Sequence, residues 1–206
     1  MSQNITVELQ SNGTTIVEEP KTISIAKNIC NENLQHQEQA IQVSFNYSQQ
    51  LFSLMAIGEE ITAVVKDGST VIFTGIVNED VSWTDEGNPY PVHDIQMTIR
   101  DFTQKFDVTT EEEVGLIDTT LSAVVNQICG DCGVTVASSQ IIPSAVEVEA
   151  FVLDKGSNYK TALDNILFQY GYSYFFNASG QFVYFNFNDI PDQMETLSEE
   201  EILNKP

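Results

Sequence analysis

From Ile5 to about residue 105 the apolar residues recur at every second position, in short runs that turn residues cut apart. Alternation of this kind presents a single apolar face only when the backbone is extended, so it commits the region to strands. ITVEL puts Ile5, Val7 and Leu9 on one face, and Ser11-Asn12-Gly13 supplies the Asn-Gly pair that reverses the chain into TTIVEE. TISIA, AIQVSF, EITAVV, TVIFTGIV, DVSW and HDIQMTIRDF continue the series, with Lys66-Asp67-Gly68-Ser69 as a second tight turn and Asp85-Glu86-Gly87-Asn88-Pro89 as a longer one. Seven or eight short strands with few interruptions predict a barrel or a sandwich. The exception is SQQLFSLMAIG, where Leu51, Leu54 and Met55 fall at helical spacing for a turn or two before Gly58.

After Phe106 the period changes. Leu121, Val124, Val125 and Ile128 lie three and four apart, led in by Asp118 and the Thr pair and ended by Gly130 and Gly133, which predicts a helix of about three turns. VTVAS and VEVEAFVL read as strands. Ser157 then serves as the expected N-cap of a second helix, with Tyr159, Ala162, Leu163, Ile166, Leu167 and Tyr170 as its apolar stripe and Gly171 as its stop. YSYFFN and QFVYFNF follow as a hairpin around Asn177-Ala178-Ser179-Gly180. The order helix, glycine stop, strand reads as a degenerate repeat of a helix-strand-strand unit. The expected organisation is a β domain over residues 1–105, a small α/β domain over 106–188 and an acidic C-terminal segment over 189–206, where Ser198 to Glu201 has a capping-box pattern.

The stretch from Tyr170 to Phe187 carries nine Tyr or Phe in eighteen residues. In a hairpin Tyr172, Tyr174 and Phe176 point one way and Phe175 the other, while Phe182 and Tyr184 oppose Val183, Phe185 and Phe187. Both faces are therefore apolar and both need covering. One is expected against the preceding helix, the other against the other helix, the β domain or another subunit, which makes Tyr172, Tyr174, Phe176, Phe182 and Tyr184 the interface candidates.

Charge and motifs narrow the function classes. Eight Lys and Arg against thirty Asp and Glu give a net charge of −22, a field that repels nucleic acid and anionic lipid. There is no apolar run long enough for a membrane span and no signal-peptide pattern at MSQNITVELQ, so a cytosolic protein with its three cysteines reduced is expected. Cys129-Gly130-Asp131-Cys132 follows a helix instead of preceding one, and the helix C-terminus disfavours a thiolate. A zinc site would need two more ligands, and Cys30, His36 and His93 offer no second paired spacing. His36 sits in a Gln-rich connection and His93 at a strand start, with no nucleophile or metal motif around either. Glu111 to Glu113 and Glu199 to Glu201 read as solvated charge, without the alternating oxygen ligands of a calcium loop. No catalytic, cofactor-binding or metal-binding constellation is expected, and the chain reads as a structural or binding protein, not an enzyme.

EEITAVVKDGSTVIFTGIVNEDVSW followed by IQMTIRDF resembles the hub proteins of phage tails and baseplates, a family of late-control-type hubs that includes the hub part of type VI secretion spikes. In such hubs a strand ending in F-x-G carries the barrel and a later strand ending in Arg-Asp leaves it. TTLSAVVNQICGDCGVTV and YKTALDNILFQYGYSYFFNASGQFVYF are similar to the helix-Gly-strand units of the hub's small α/β domain. The resemblance covers roughly residues 5 to 188 and implies an α+β fold: an N-terminal antiparallel β-barrel, then a small α/β domain of two helix-strand-strand units. It further implies a virion tail protein assembled in the bacterial host cytoplasm, a homo-oligomer (trimer or ring) whose partners are tail tube and spike proteins, with DNA passing through unbound. The family continues after a segment like LSEEEILNKP into a second barrel related to the first, so a fragment, a reduced hub or half of a split one is expected. The alternative reading is a carbohydrate-binding or adhesin module stacking sugars on exposed aromatics.

Overall fold

The structure is a computed structural model that describes residues 4–26, 38–55, 59–77, 82–84, 94–138 and 146–186. Cys30, His36, His93, the turn at Asp85 to Pro89, Phe187 and the acidic C-terminal segment lie outside the described residues.

The alternating segments form the strands β1 (Ile5–Ser11), β2 (Thr14–Glu18), β3 (Thr22–Ala26), β4 (Ala40–Asn46), β5 (Thr62–Asp67), β6 (Thr70–Val77), β7 (Ser82–Thr84) and β8 (Asp94–Arg100). Asn12 and Gly13 both take positive φ, 48° and 76°, as a two-residue hairpin turn demands, and Gly68 does the same between β5 and β6. All pairings are antiparallel, in the order β2-β1-β5-β6-β8-β4-β3, with β7 continuing beside β8 where β6 ends. Val7, Leu9, Ile41, Val43, Phe45, Ala63, Val65, Phe73, Ile95, Met97 and Ile99 turn one face of this sheet into a single core. The helix α1 (Gln49–Met55) buries Leu51 and Leu54 in it, and Ser48 both caps that helix through Leu51 N–H at 3.0 Å and donates to Glu18 of β2 at 2.9 Å.

The strands make one antiparallel sheet, the α+β character expected, and β2 and β3 at the two ends of its ladder are not paired with each other. The sheet is nevertheless curled. Glu18 ends β2 and Thr22 begins β3, and a link that short spans at most about 14 Å. Seven strands laid flat would set those edges about 29 Å apart.

The second half holds a 3-10 turn (Phe102–Phe106), β9 (Val114–Thr120), α2 (Leu121–Asp131), β10 (Glu147–Leu153), α3 (Tyr159–Gln169), β11 (Tyr172–Phe176) and β12 (Phe182–Asn186). Both predicted stripes point inward: Leu121, Val124, Val125 and Ile128 of α2, and Tyr159, Leu163, Ile166 and Leu167 of α3, are buried in one further core. Gly133, at φ 64°, ends α2 in a Schellman turn in which Val134 N–H reaches Cys129 O at 2.7 Å and Gly133 N–H reaches Gly130 O at 3.1 Å. The α3 N-cap is Asn158, one residue beyond the expected Ser157, and it accepts from Thr161 N–H at 2.9 Å.

Of the two expected helix-strand-strand units, α3-β11-β12 has that order and the one around α2 departs from it. The partner of β10 is β9, which lies before α2, where Gly115 and Asp118 obscure the strand because both are poor strand formers. VTVAS instead makes one parallel bridge, Val136 to Phe182, and so edges the β11–β12 hairpin. No helix among the described residues is long and apolar enough to cross a membrane.

Candidate functional site

The residues of the F-x-G and Arg-Asp motifs meet where the curled sheet hands the chain to the second core. Gly75, the last residue of Phe73-Thr74-Gly75 and inside β6, lies so close to β8 that a Cβ built there would stand 2.1 Å from Arg100 O. Only glycine admits that approach. Arg100 pairs with Glu38 at 2.5 Å. Asp101, fully buried, accepts from Thr103 N–H at 2.9 Å and from Gln39 N–H at 2.8 Å, so its carboxylate both caps the 3-10 turn and fastens the segment entering β4.

That capped turn throws Phe102 and Phe106 into the second core. Phe106 stacks on Phe176 with centroids 6.2 Å apart and meets Phe182 edge-on at 5.8 Å, and Phe102 lies 5.9 Å from Phe176. On the sheet side Thr74 Oγ1 donates to Ala178 O at 2.8 Å. Gly180, at φ 72°, brings the hairpin turn so near that a Cβ would stand 2.3 Å from the Phe102 ring and 3.2 Å from Thr74 Cγ2. Lys105 spans the same junction, pairing with Glu60 at 3.2 Å and lying 5.2 Å above the Phe102 ring.

Tyr172, Tyr174, Phe176, Phe182 and Tyr184 all belong to this buried core, none more than 7% exposed. They cover one face of the hairpin from within the chain, packed on α3, α2 and the Phe102–Phe106 turn. Burial first, then the neighbouring Asp164 carboxylate, holds the Tyr174 phenol well above its ordinary pKa, and so protonated. The other face, with Phe175, Val183 and Phe185, is half-buried, and Phe175 and Phe185 lie 5.9 Å apart.

Beside the junction a cleft of about 480 Å³ opens between Glu60 and Ile76 on the sheet side and Lys105, Val108, Asp131 and Cys132 on the other. Burial, then the Asp131 charge, pushes the Cys132 thiol up to about 11, and burial, then Cys132, pushes Cys129 up to about 12, so neither is a thiolate at neutral pH. Tyr159 donates to Asp131 at 3.0 Å. Among the described residues no group of three His, Cys, Asp or Glu side chains is placed to hold a metal ion.

The sequence pointed to the glycine and the Arg-Asp pair by resemblance, without the reason for either. It gave no sign of Phe102 and Phe106 as the joint between the cores, although the apolar spacing of Phe102 and Phe106 across a capped turn is visible once Asp101 is read as a cap.

No family model and no curated protein matches the chain. Solved structures do. The 43 kDa tail protein of prophage MuSo2 from Shewanella oneidensis matches with a TM-score of 0.62 and 16% identity, over 89% of this chain and 54% of its own. The tail protein from Neisseria meningitidis MC58 matches with a TM-score of 0.60 and 11% identity, over 91% of this chain and 53% of its own. A chain of the lidless PdpA-VgrG complex matches with a TM-score of 0.58 and 11% identity, over 100% of this chain and 38% of its own. The chain thus has a fold in common with phage tail proteins and with a VgrG complex, as its resemblance to tail hubs implies. It spans about half the length of the tail proteins it matches.

Proposed function

We propose that the chain is a structural component of a phage tail, a hub or ring part that joins the tail tube to the spike or baseplate. The observation that carries this reading is the shared fold along 89% of the chain with a prophage tail protein. In this reading the curled β1–β8 sheet is the barrel wall of the hub and the α/β half braces it through the Phe102–Phe106 joint. The partners are further copies of the chain, as a trimer or ring, together with tube and spike proteins, in a virion tail assembled in the host cytoplasm. A non-catalytic role is part of the proposal, and the protonated state of Cys132, the thiol that lines the junction cleft, fits it. The net charge of −22 supports a channel in which DNA slides without adhering. The carbohydrate-binding alternative needs exposed aromatics, and Tyr172, Tyr174, Phe176, Phe182 and Tyr184 of the hairpin are buried.

Light scattering after size exclusion, across protein concentration and at low and high salt, tests the assembly. A trimer or ring that salt promotes is the expected outcome, because salt screens the self-repulsion of an acidic chain. A monomer at every concentration and salt would count against a ring built by this chain alone.

A further inference from the structure

The β9–β10 ribbon has an apolar face turned to solvent. Ile117 is 74% exposed, the most of any large hydrophobic among the described residues, and Val152 is 55% exposed. Ile117 pairs across the ribbon with Ala150, and Val152 with Gly115, so the four share one face, and Gly115 leaves the flank of Val152 bare. The other face, Leu116, Phe151 and Leu153, lies on the second core.

A kink sets this arrangement. Asp118, inside β9, takes φ 50°, and the Asp118–Glu149 position is the one missing from an otherwise continuous register. Beyond it the pleat inverts: Val148, which by alternation from Ala150 would face out, is buried. The ribbon therefore uses its far end to close the core and its near end to present Ile117 and Val152. A left-handed residue inside a strand is costly for most side chains, and such a feature persists where the surroundings or a function demand it.

Charge tells what the face can receive. Glu111, Glu112 and Glu113 precede β9 and Asp154 follows β10 at one end of the ribbon, while Asp118, Glu147 and Glu149 lie at the other, all exposed. Lys155 is the one base beside them, Lys160 being paired with Asp164 at 3.2 Å. A second copy placed face to face would bring like charges together at both ends.

We propose that the outward face of β9–β10 is a docking surface for an extended basic segment of another protein, with an apolar centre over Ile117 and Val152 and Lys or Arg toward both ends. The surface stands independently of the tail reading, since it rests on exposure, register and charge alone.

The test uses the full chain and the fluorescent peptide Lys-Lys-Val-Thr-Ile-Thr-Val-Lys-Lys, with binding followed by polarisation. Saturable binding is expected that weakens as salt is raised, and the same peptide with Glu for every Lys should not bind. Ile117→Thr and Val152→Thr keep strand propensity and should each weaken binding about tenfold with the melting temperature unchanged. Absence of saturable binding, equal binding of the Glu peptide, or binding indifferent to both substitutions would overturn the proposal. So would light scattering in which Ile117→Thr alone dissolves an oligomer, since the occupant would then be a second copy.

Discussion

At Gly75 the nearest obstacle to a side chain is backbone, Arg100 O at 2.1 Å, and backbone within a paired sheet cannot step aside. Gly75→Ala should therefore cost about 3 kcal/mol, the upper part of the overpacking range, read from urea midpoints at constant m. Asp101 is the complementary case, a side chain that the fold cannot lose. Asp101→Ala would strand the buried N–H groups of Thr103 and Gln39 and cost about 2–5 kcal/mol, whereas Asp101→Asn keeps one acceptor oxygen and should cost about half as much. If Asn proves as damaging as Ala, charge rather than acceptor count is what the site requires. These two residues show how far a sequence can be read. A Gly after Phe-x and an Asp after Arg are visible as letters, but the 2.1 Å approach and the second donor at Gln39 arise from segments far apart in the chain, which no local pattern records.

Among the elements, β9 is where local propensity and the fold part company. VGLIDTT contains Gly115 and Asp118, and its Thr pair does cap α2 through Thr120, so the segment reads as a helix lead-in when seven of its residues are strand. The pairing with β10 wins because Leu116 and Phe151 reach the core together. Asp118→Gly should be nearly neutral, since glycine enters the left-handed region freely, while Asp118→Val should cost about 1–2 kcal/mol for forcing a branched side chain there. Equal stability of the two variants in urea would show that the strand straightens without penalty. By contrast the apolar stripes of α2 and α3 were legible, because four buried positions at helical spacing in each depend on nothing beyond the helix itself, although the α3 cap lay one residue further on. The end of α2 carries its own test. With Cys129 up to about 12 and Cys132 up to about 11, alkylation at pH 8 should leave both largely unmodified in the native protein and label both on unfolding, as peptide mapping would read.

For the whole molecule, the question is whether two cores behave as one. The sheet core and the helix core are separate clusters, yet Phe102 and Phe106 follow directly from β8 and stack within the second. Trp83 is the single tryptophan and lies on β7 beside β8, while the tyrosines Tyr159, Tyr172, Tyr174 and Tyr184 fill the second core. Unfolding followed by Trp fluorescence and by near-ultraviolet dichroism of tyrosine should therefore coincide in the native chain and separate in Phe102→Ala. Coincidence in both would mean that the joint is redundant, held by Thr74, Gly180 and Lys105 without the ring. The alternation of the first half made the sheet readable but not its order, because β1 pairs with β5 and β4 with β8 across long intervals that alternation does not encode.

The short link between β2 and β3 has a mechanical meaning. An open-edged curl held only by its ladder could flatten by degrees, one hydrogen bond at a time. Here Glu19, Pro20 and Lys21 tie the two lips of the curl with covalent bonds. A load that pries the sheet open can part these lips only until the strap is fully extended, and a backbone at full reach does not give. The aperture of the curl is thus capped by bond lengths, at about 14 Å between Glu18 and Thr22, however weak the contacts across the gap may be.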